Sequence, residues 1–508
     1  MASGSDSALP QALTDFVFDL YDSVTLSQLS EEQGKLYNTD FRDLSSKYFG
    51  SQPWPSPQSI ASECNGDPMF LALYRELTQR HWHAVSRPSI RDRIEGWQVY
   101  RELFEEILEA DEPNFFLVPS WIFDILQEFV YQFQGFCQIR SAVYASARKQ
   151  GILSDDGTIQ EGSSSQSTNL VENLSVLQNA GDAWEVEAVY GYLHRMVHRG
   201  MPAGGATIHP VSSYLSLFSS VSLSRLDCLL GDYTSSLQAL SPLTIHGEYV
   251  IPKDEGSTVT SVLHSVFPAR ISVVYHAGVS FLMLRRYKDA VKILADLCAY
   301  MQRGFKSGQL RKLPGSDQFN KQYERMLSLL AILNHICPTN GWMEDSVARV
   351  VREKHSAKLE AASSMEEWFQ SPKFISTDPS FGLYRQQVQI FLQEMSTQPA
   401  GHKLRTYLKL YTSLPVEKLA KFHDMSVPDF LPLLLAYKLR MRQVERGEGD
   451  SYIGGTQRSA LDIHYYLNGA LVHVDEAEKT RQFENYFVAQ IAQNIEIRRD
   501  ALAIDTKV

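Results

Sequence analysis

Apolar positions recur at helical spacing through most of this chain. Leu13, Phe16, Val17, Leu20, Tyr21 and Val24 follow the i, i+3, i+4, i+7 rhythm of one buried helix face. Leu36, Phe41, Leu44 and Tyr48 predict a second helix. Pro53, Pro55 and Pro57 then forbid helix, because proline lacks an amide donor and restricts the residue before it. Asp67-Pro68 is a start signal, an N-cap acceptor followed by proline at the first helical position. The helix it opens carries Phe70, Leu73, Tyr74 and Leu77. Ser89 caps the next, with Ile90, Ile94, Trp97, Leu103, Phe104 and Ile107. Ser120 caps another, with Ile122, Ile125, Leu126, Phe129, Val130, Phe133 and Phe136. At this spacing the aromatic stripe from Phe115 to Phe136 is core rather than a cofactor box.

Two breaks follow. Residues 151–169 turn to Gly, Ser, Asp and Gln, which reads as a flexible loop or linker. Residues 199–210 hold three glycines and two prolines. Beyond them two segments resemble each other: Leu229-Leu230-Gly231-Asp232-Tyr233 and Met283-Leu284-Arg285-Arg286-Tyr287. Each follows an apolar helix with a short polar turn, a tyrosine and the next helix, the turn grammar of tetratricopeptide-like hairpins. The tyrosines are 54 residues apart, longer than the usual period of about 34. The repeat is therefore degenerate, with an insertion between Ser241 and Thr260.

The last hundred residues have another grammar. Leu404, Tyr407, Leu408 and Tyr411 predict one helix, Val416 to His423 a second, and Ser426 caps a third from Val427 to about Val444. The last two joined by a tight turn match a helix-turn-helix. Pro432 lies inside the third helix, where proline costs about 3 kcal/mol or more, so the helix either starts near Leu431 or kinks. A polar, glycine-rich loop follows, Gly447 to Gln457. Asn468-Gly469 between Leu461–Leu467 and Ala470–Val474 is a strong hairpin signal, with both turn positions expected at positive φ. Three helices plus this hairpin make a winged helix. A final amphipathic helix carries Phe483, Tyr486, Phe487, Ile491 and Ile495.

Length and charge narrow the picture. The 508 residues suffice for roughly three domains. A net charge of −11 argues against a surface that grips nucleic acid throughout. The five cysteines are scattered, without a CxxC motif, which fits buried thiols in a reducing compartment. Met1 to Pro10 lacks the features of a signal peptide, and no apolar run approaches the ~18–20 residues of a membrane span. A cytoplasmic protein is expected.

Candidate chemistry is thin. His194 and His198 share a helix face, but a zinc-protease motif needs Glu after the first histidine, and Arg195 stands there. His81 and His83 point to different sides of a helix. No phosphate loop or nucleophile elbow occurs, and Asp155-Asp156 and Glu366-Glu367 read as solvated acids. No enzyme activity and no cofactor are expected. The winged helix holds eight bases against four acids over 401–445, a local +4. Its base-reading positions are Val427, Pro428, Asp429, Phe430 and Leu431, apolar or acidic and better suited to protein than to DNA. Lys438, Arg440 and Arg442 form a run suited to weak ribosomal RNA contact.

A helical-hairpin solenoid ending in a winged helix resembles the PCI domain shared by the proteasome lid, the COP9 signalosome and initiation factor 3. Gly66–Leu77, Trp121–Leu126 running on through Glu128–Gln134, Pro53-Trp54-Pro55 and Leu408–Ala420 are similar to blocks of the initiation factor 3 L-subunit family. The likeness runs from about residue 36 to about 495. The loops near 160, near 204 and at 241–262 depart from it. The resemblance implies a mainly α fold: an N-terminal helical domain (1–150), a linker (151–169), PCI helical repeats (170–400), a winged helix (401–476) and a C-terminal helix (477–508). It implies a non-catalytic scaffold in the PCI–MPN core of the factor, which binds the small ribosomal subunit, with the K and E subunits as neighbours. Partner contacts would fall on the wing strands (Ile463, Tyr465, Leu467, Leu471, His473) and on the final helix (Phe483, Tyr486, Phe487, Ile491). The alternatives are a PCI subunit of the lid or the signalosome, or a winged-helix nucleic-acid binder.

Overall fold

In the computed structural model the described residues are 10–25, 31–109, 113–153, 165–200, 209–241, 262–313, 315–337, 343–361, 386, 388–393, 398–447, 450–461, 463–476, 490–491 and 494–495. The N-terminal part is helical. Its elements are α1 (Gln11–Thr25), α2 (Glu31–Lys35), α3 (Phe41–Tyr48), α4 (Pro57–Ile60), α5 (Pro68–Val85), α6 (Ile90–Glu109) and α7 (Pro119–Lys149). A π turn over Leu36–Asp40 joins α2 to α3. Asp67 caps α5, accepting from the Met69 amide at 2.9 Å. Ser89 and Asp92 cap α6 reciprocally, Ser89 N donating to the Asp92 carboxylate at 2.7 Å and Asp92 N to the Ser89 hydroxyl at 3.3 Å. At α7 the cap residue is Val118 with Pro119 in the first turn, not Ser120.

Aromatic rings fill this core. Trp54 lies flat against Phe41 with centroids 4.8 Å apart, and Trp121 stacks on Tyr37 at 4.8 Å. The proline-rich stretch thus turns an indole inward. A buried polar chain crosses this core: fully buried Glu76 accepts from Tyr100 at 3.1 Å and from Arg80 at 3.3 Å. Arg80 also donates to the Tyr37 hydroxyl, which donates to Asp124 at 2.7 Å. This chain ties the π turn to α5, α6 and α7, and each link offsets the cost of burying a charge.

The repeats comprise α8 (Ser165–Asn179), α9 (Val186–Arg199), α10 (Pro210–Leu230), α11 (Tyr233–Ala239), α12 (Val262–Ser265), α13 (Phe267–Met283), α14 (Tyr287–Lys306), α15 (Ser316–Ile336) and α16 (Asp345–Ala361). Helix α8 begins within the stretch read from sequence as linker. Successive helices pack on one another through apolar faces, α9 on α10, α10 on α11, α13 on α14 and α14 on α15. On α10 the buried face is studded with serines, and a chain of hydroxyls from Ser224 through Ser236 to Ser280 crosses α10, α11 and α13 at 3.1 Å per step. Small side chains let these helices approach closely, as at Gly200, where a Cβ would lie 2.3 Å from that of Ser216.

The winged helix comprises α17 (Gln398–Leu408), β1 (Ser413–Pro415), α18 (Val416–Phe422), α19 (Val427–Arg440) and strands β2 (Arg442–Glu445), β3 (Thr456–Ser459), β4 (Ile463–Asn468) and β5 (Leu471–Glu476). One antiparallel sheet has the order β1-β5-β4, and β2 pairs with β3 in a second. Three sequence expectations need correction. Helix α19 stops at Arg440 rather than near Val444, and the residues beyond it become β2, so the glycine-rich loop is the tip of a ribbon. Helix α19 does not wait for Leu431: it starts at Val427, capped by Ser426, and includes Pro432. In the β4–β5 turn Asn468 pairs with Leu471, and of the two loop residues only Gly469 takes positive φ, +60°. That is the type II′ pattern with glycine first, not one with both positions left-handed.

Candidate functional site

The winged helix presents an unusual recognition helix. Phe430, Leu434 and Tyr437 of α19 are buried in the domain core, while Leu435 is 49% and Leu439 64% exposed. These two leucines are one turn apart and share a face. A helix reading DNA would place hydrogen-bonding side chains here.

The residues singled out from sequence separate into groups. Ile463 and Tyr465 of β4 are buried within the chain's own core. Tyr465 donates its hydroxyl to the Leu434 carbonyl at 2.8 Å, and burial holds its phenol above its ordinary pKa. Leu467 and His473 are half-buried and Leu471 is 41% exposed. Tyr466, 45% exposed, stacks on His473 across the strands at 5.3 Å. What β4 leaves open is backbone: it is an edge of its sheet. Phe483, Tyr486 and Phe487 lie outside the described residues, and Ile491 is exposed. Among the three bases, Lys438 folds inward, donating to the Tyr465 carbonyl with its ammonium 5.4 Å from that ring's centroid. Arg440 is half-buried and Arg442 exposed.

A second set of residues fixes how the winged helix sits on the repeats, and sequence reasoning missed it. Arg286 opens α14 and is 6% exposed. Its guanidinium donates to the carbonyls of Tyr452, Ile453 and Gly454, each at 2.9 Å, and pairs with Asp289 at 2.7 Å. Asp289 in turn accepts from the Arg446 amide at 3.0 Å. Lys288 pairs with Glu445, and its amide donates to Gln443 at 3.1 Å. The turn before α14 is thus a socket, and the β2–β3 loop is what it holds. The one sequence signal was an arginine standing where the sibling turn has a capping aspartate.

No group of three or more potential metal ligands clusters among the described residues. His194 and His198 are both exposed, and His81 and His83 engage different partners, the Phe49 carbonyl and Gln79. No helix among the described residues is long and apolar enough to cross a membrane.

The fold and this site define a class: a helical-hairpin array ending in a winged helix with an apolar recognition face. A family model described as RNA polymerase I-associated factor PAF67 matches residues 92–494. The chain is similar to eukaryotic translation initiation factor 3 subunit L of Nematostella vectensis, 29% identical over 99% of this chain and 95% of that protein. It is 30% identical to the subunit L proteins of Danio rerio and Homo sapiens, over 91% of this chain and 80% and 82% of theirs. The chain belongs to the family of translation initiation factor 3 subunit L.

Proposed function

We propose that this chain is a non-catalytic structural subunit of initiation factor 3, acting in the cytoplasm to scaffold the PCI–MPN core on the small ribosomal subunit. The observation that carries this reading is the exposed leucine face of α19. Leu435 and Leu439 leave about half or more of their surface in water, so a partner that covers them recovers a good part of the about 1.5–3 kcal/mol that fully burying such a side chain is worth. The open edge of β4 and the final helix around Phe483 to Ile495 supply two further docking elements, with the K and E subunits as expected neighbours. The helical repeats (170–400) then act as a rigid arm, the Arg286 socket setting the angle of the winged helix (401–476) upon it. Ribosomal RNA contact, if made by the basic run, falls to Arg442 and Arg440, since Lys438 is turned inward.

The test is native purification of the tagged full chain from its own cells, wild type beside Leu435→Asp/Leu439→Asp. The wild type is expected to bring other initiation-factor subunits and small-subunit ribosomal proteins. The variant should keep its melting temperature, because both side chains are solvent-facing, and lose its neighbours. A full set of partners with the variant would sink the leucine-face assignment. Truncation at Arg481 applies the same logic to the final helix.

A further inference from the structure

We propose that a cleft between the N-terminal helices and the repeats docks an acidic segment of another subunit. The cleft measures about 1100 Å³ and is walled by α7, α10, α13 and α15. Arg93, Arg140, Arg225 and Arg325 line it, and no aspartate or glutamate does. All four are half-buried. None makes an ion pair among the described residues. This gathering of unpaired cations occurs in a chain of net charge −11.

The surroundings do not neutralise it. Arg225 donates to the Gln134 side chain at 3.0 Å, a neutral acceptor. The Arg93 Nε is buried without a hydrogen-bond partner. Two carboxylates lie near enough to act on Arg93. Asp92 is engaged by the Ser89 amide, and Glu128, which also faces Arg225, is pushed up to about 7 by burial and so is only partly ionised near neutral pH. His276, held down to about 3 by burial and by Arg225, stays neutral. Guanidinium groups withdrawn from water without an acid gain most from a carboxylate that arrives with its own desolvated surroundings.

Shape selects the occupant. The volume lies at the upper end of the ~300–1,000 Å³ of small-molecule sites, which leaves room for a stretch of polypeptide. Tyr131, Val186 and Leu230 are exposed around the cations, at 61%, 40% and 36%, so the ligand carries apolar as well as acidic side chains. No lysine lines the cleft, and its arginines sit in concave walls rather than on an outward ridge that could track a phosphate backbone. Gly135 is part of the design: a Cβ there would lie 2.7 Å from the Arg93 Nη1, so the missing side chain lets that guanidinium lie against α7.

The proposal rests on the assembly reading for where the partner is sought. Ser141, exposed on the cleft rim, is replaced by p-benzoylphenylalanine in the full chain. The assembled factor is irradiated, and the cross-linked peptide is read by mass spectrometry. The expected product joins Ser141's position to a peptide of another subunit rich in Asp and Glu. Its yield should fall roughly tenfold or more in Arg140→Glu/Arg325→Glu. Gly135→Ala, which moves Arg93 without changing any charge, should lower the yield by itself, and an unchanged yield there overturns the proposal even where the charge reversal unfolds the chain. Cross-links to RNA, to this chain or to a peptide without acids, or no cross-link in an intact factor, overturn the cleft alone. A chain that never enters the factor overturns the assembly reading, and the cleft with it.

Discussion

The turns that follow α10 and α13 share a backbone and differ in what closes them. In the first, Gly231 takes the left-handed conformation at φ +89°, and the Asp232 amide reaches back to the Asp227 carbonyl at 2.9 Å. Asp232 then caps α11, accepting from the Ser235 amide at 3.0 Å. In the second, Arg285 takes the left-handed conformation at φ +60°, and the Arg286 amide reaches back to the Phe281 carbonyl at 2.8 Å. Arg286 caps nothing locally; its guanidinium crosses to the winged helix instead. The glycine turn satisfies itself. The arginine turn carries roughly 1–2 kcal/mol of left-handed strain, and its own N-cap side chain gives the helix start no acceptor. Its compensation comes from a loop more than 160 residues away. One hairpin motif is therefore a plain link in the repeat at its first use and a socket at its second.

The strongest way to break this comparison is Arg286→Ala. It leaves Asp289 buried without its cation and three carbonyls without their donor, and the expected loss is about 3–5 kcal/mol. Urea denaturation reads the loss, and hydrogen exchange should show it first at the Arg446 amide and along β2–β3. An unchanged midpoint would mean that the socket holds nothing. Next in size is Gly231→Ala, which puts a Cβ into the left-handed turn at a cost of roughly 1–2 kcal/mol. Its faster exchange should stay within α10 and α11 and leave β2–β3 protected. Spread of that effect into the wing would erase the distinction between link and socket.

How much of this was legible depends on the range of each interaction. Local signals read well: the spacing of Leu13 to Val24, the caps at Asp67, Ser89 and Ser426, and the Tyr233 and Tyr287 hairpins all appear as structure. The β2–β3 ribbon did not, because Arg442-Gln443-Val444-Glu445 prolongs the helical pattern of α19 and Thr456–Ser459 is polar and fully exposed. That ribbon is placed by Lys288 and Arg286, partners that no local window contains. The buried serines of α10 were equally silent, since serine reads as polar until its hydroxyls are seen to pair with one another across three helices. Of the candidate site, the winged helix and its leaning toward protein were legible in the apolar residues at the start of α19. Which leucines face outward was not: Leu434 and Leu435 are identical in composition and opposite in exposure.

The smallest test probes the cap that only the first turn possesses. Asp232→Ala should cost about 1 kcal/mol, the usual value of an N-cap acceptor, and the cost should depend on pH. Hydrogen bonds from the Ser235 amide and hydroxyl favour the ionised carboxylate and hold its pKa below the ordinary value. A carboxyl depressed in the folded state contributes its full stability above the unfolded pKa, about 3.9, and loses it as pH falls through the lower folded value. The difference in unfolding free energy between wild type and variant should therefore be flat from neutral pH down to about 5 and shrink as the acid limb is entered. A difference at Asp232 that stays constant to the acid limit would show that its cap works in the neutral form. The two turns would then differ in reach but not in the charge that closes them.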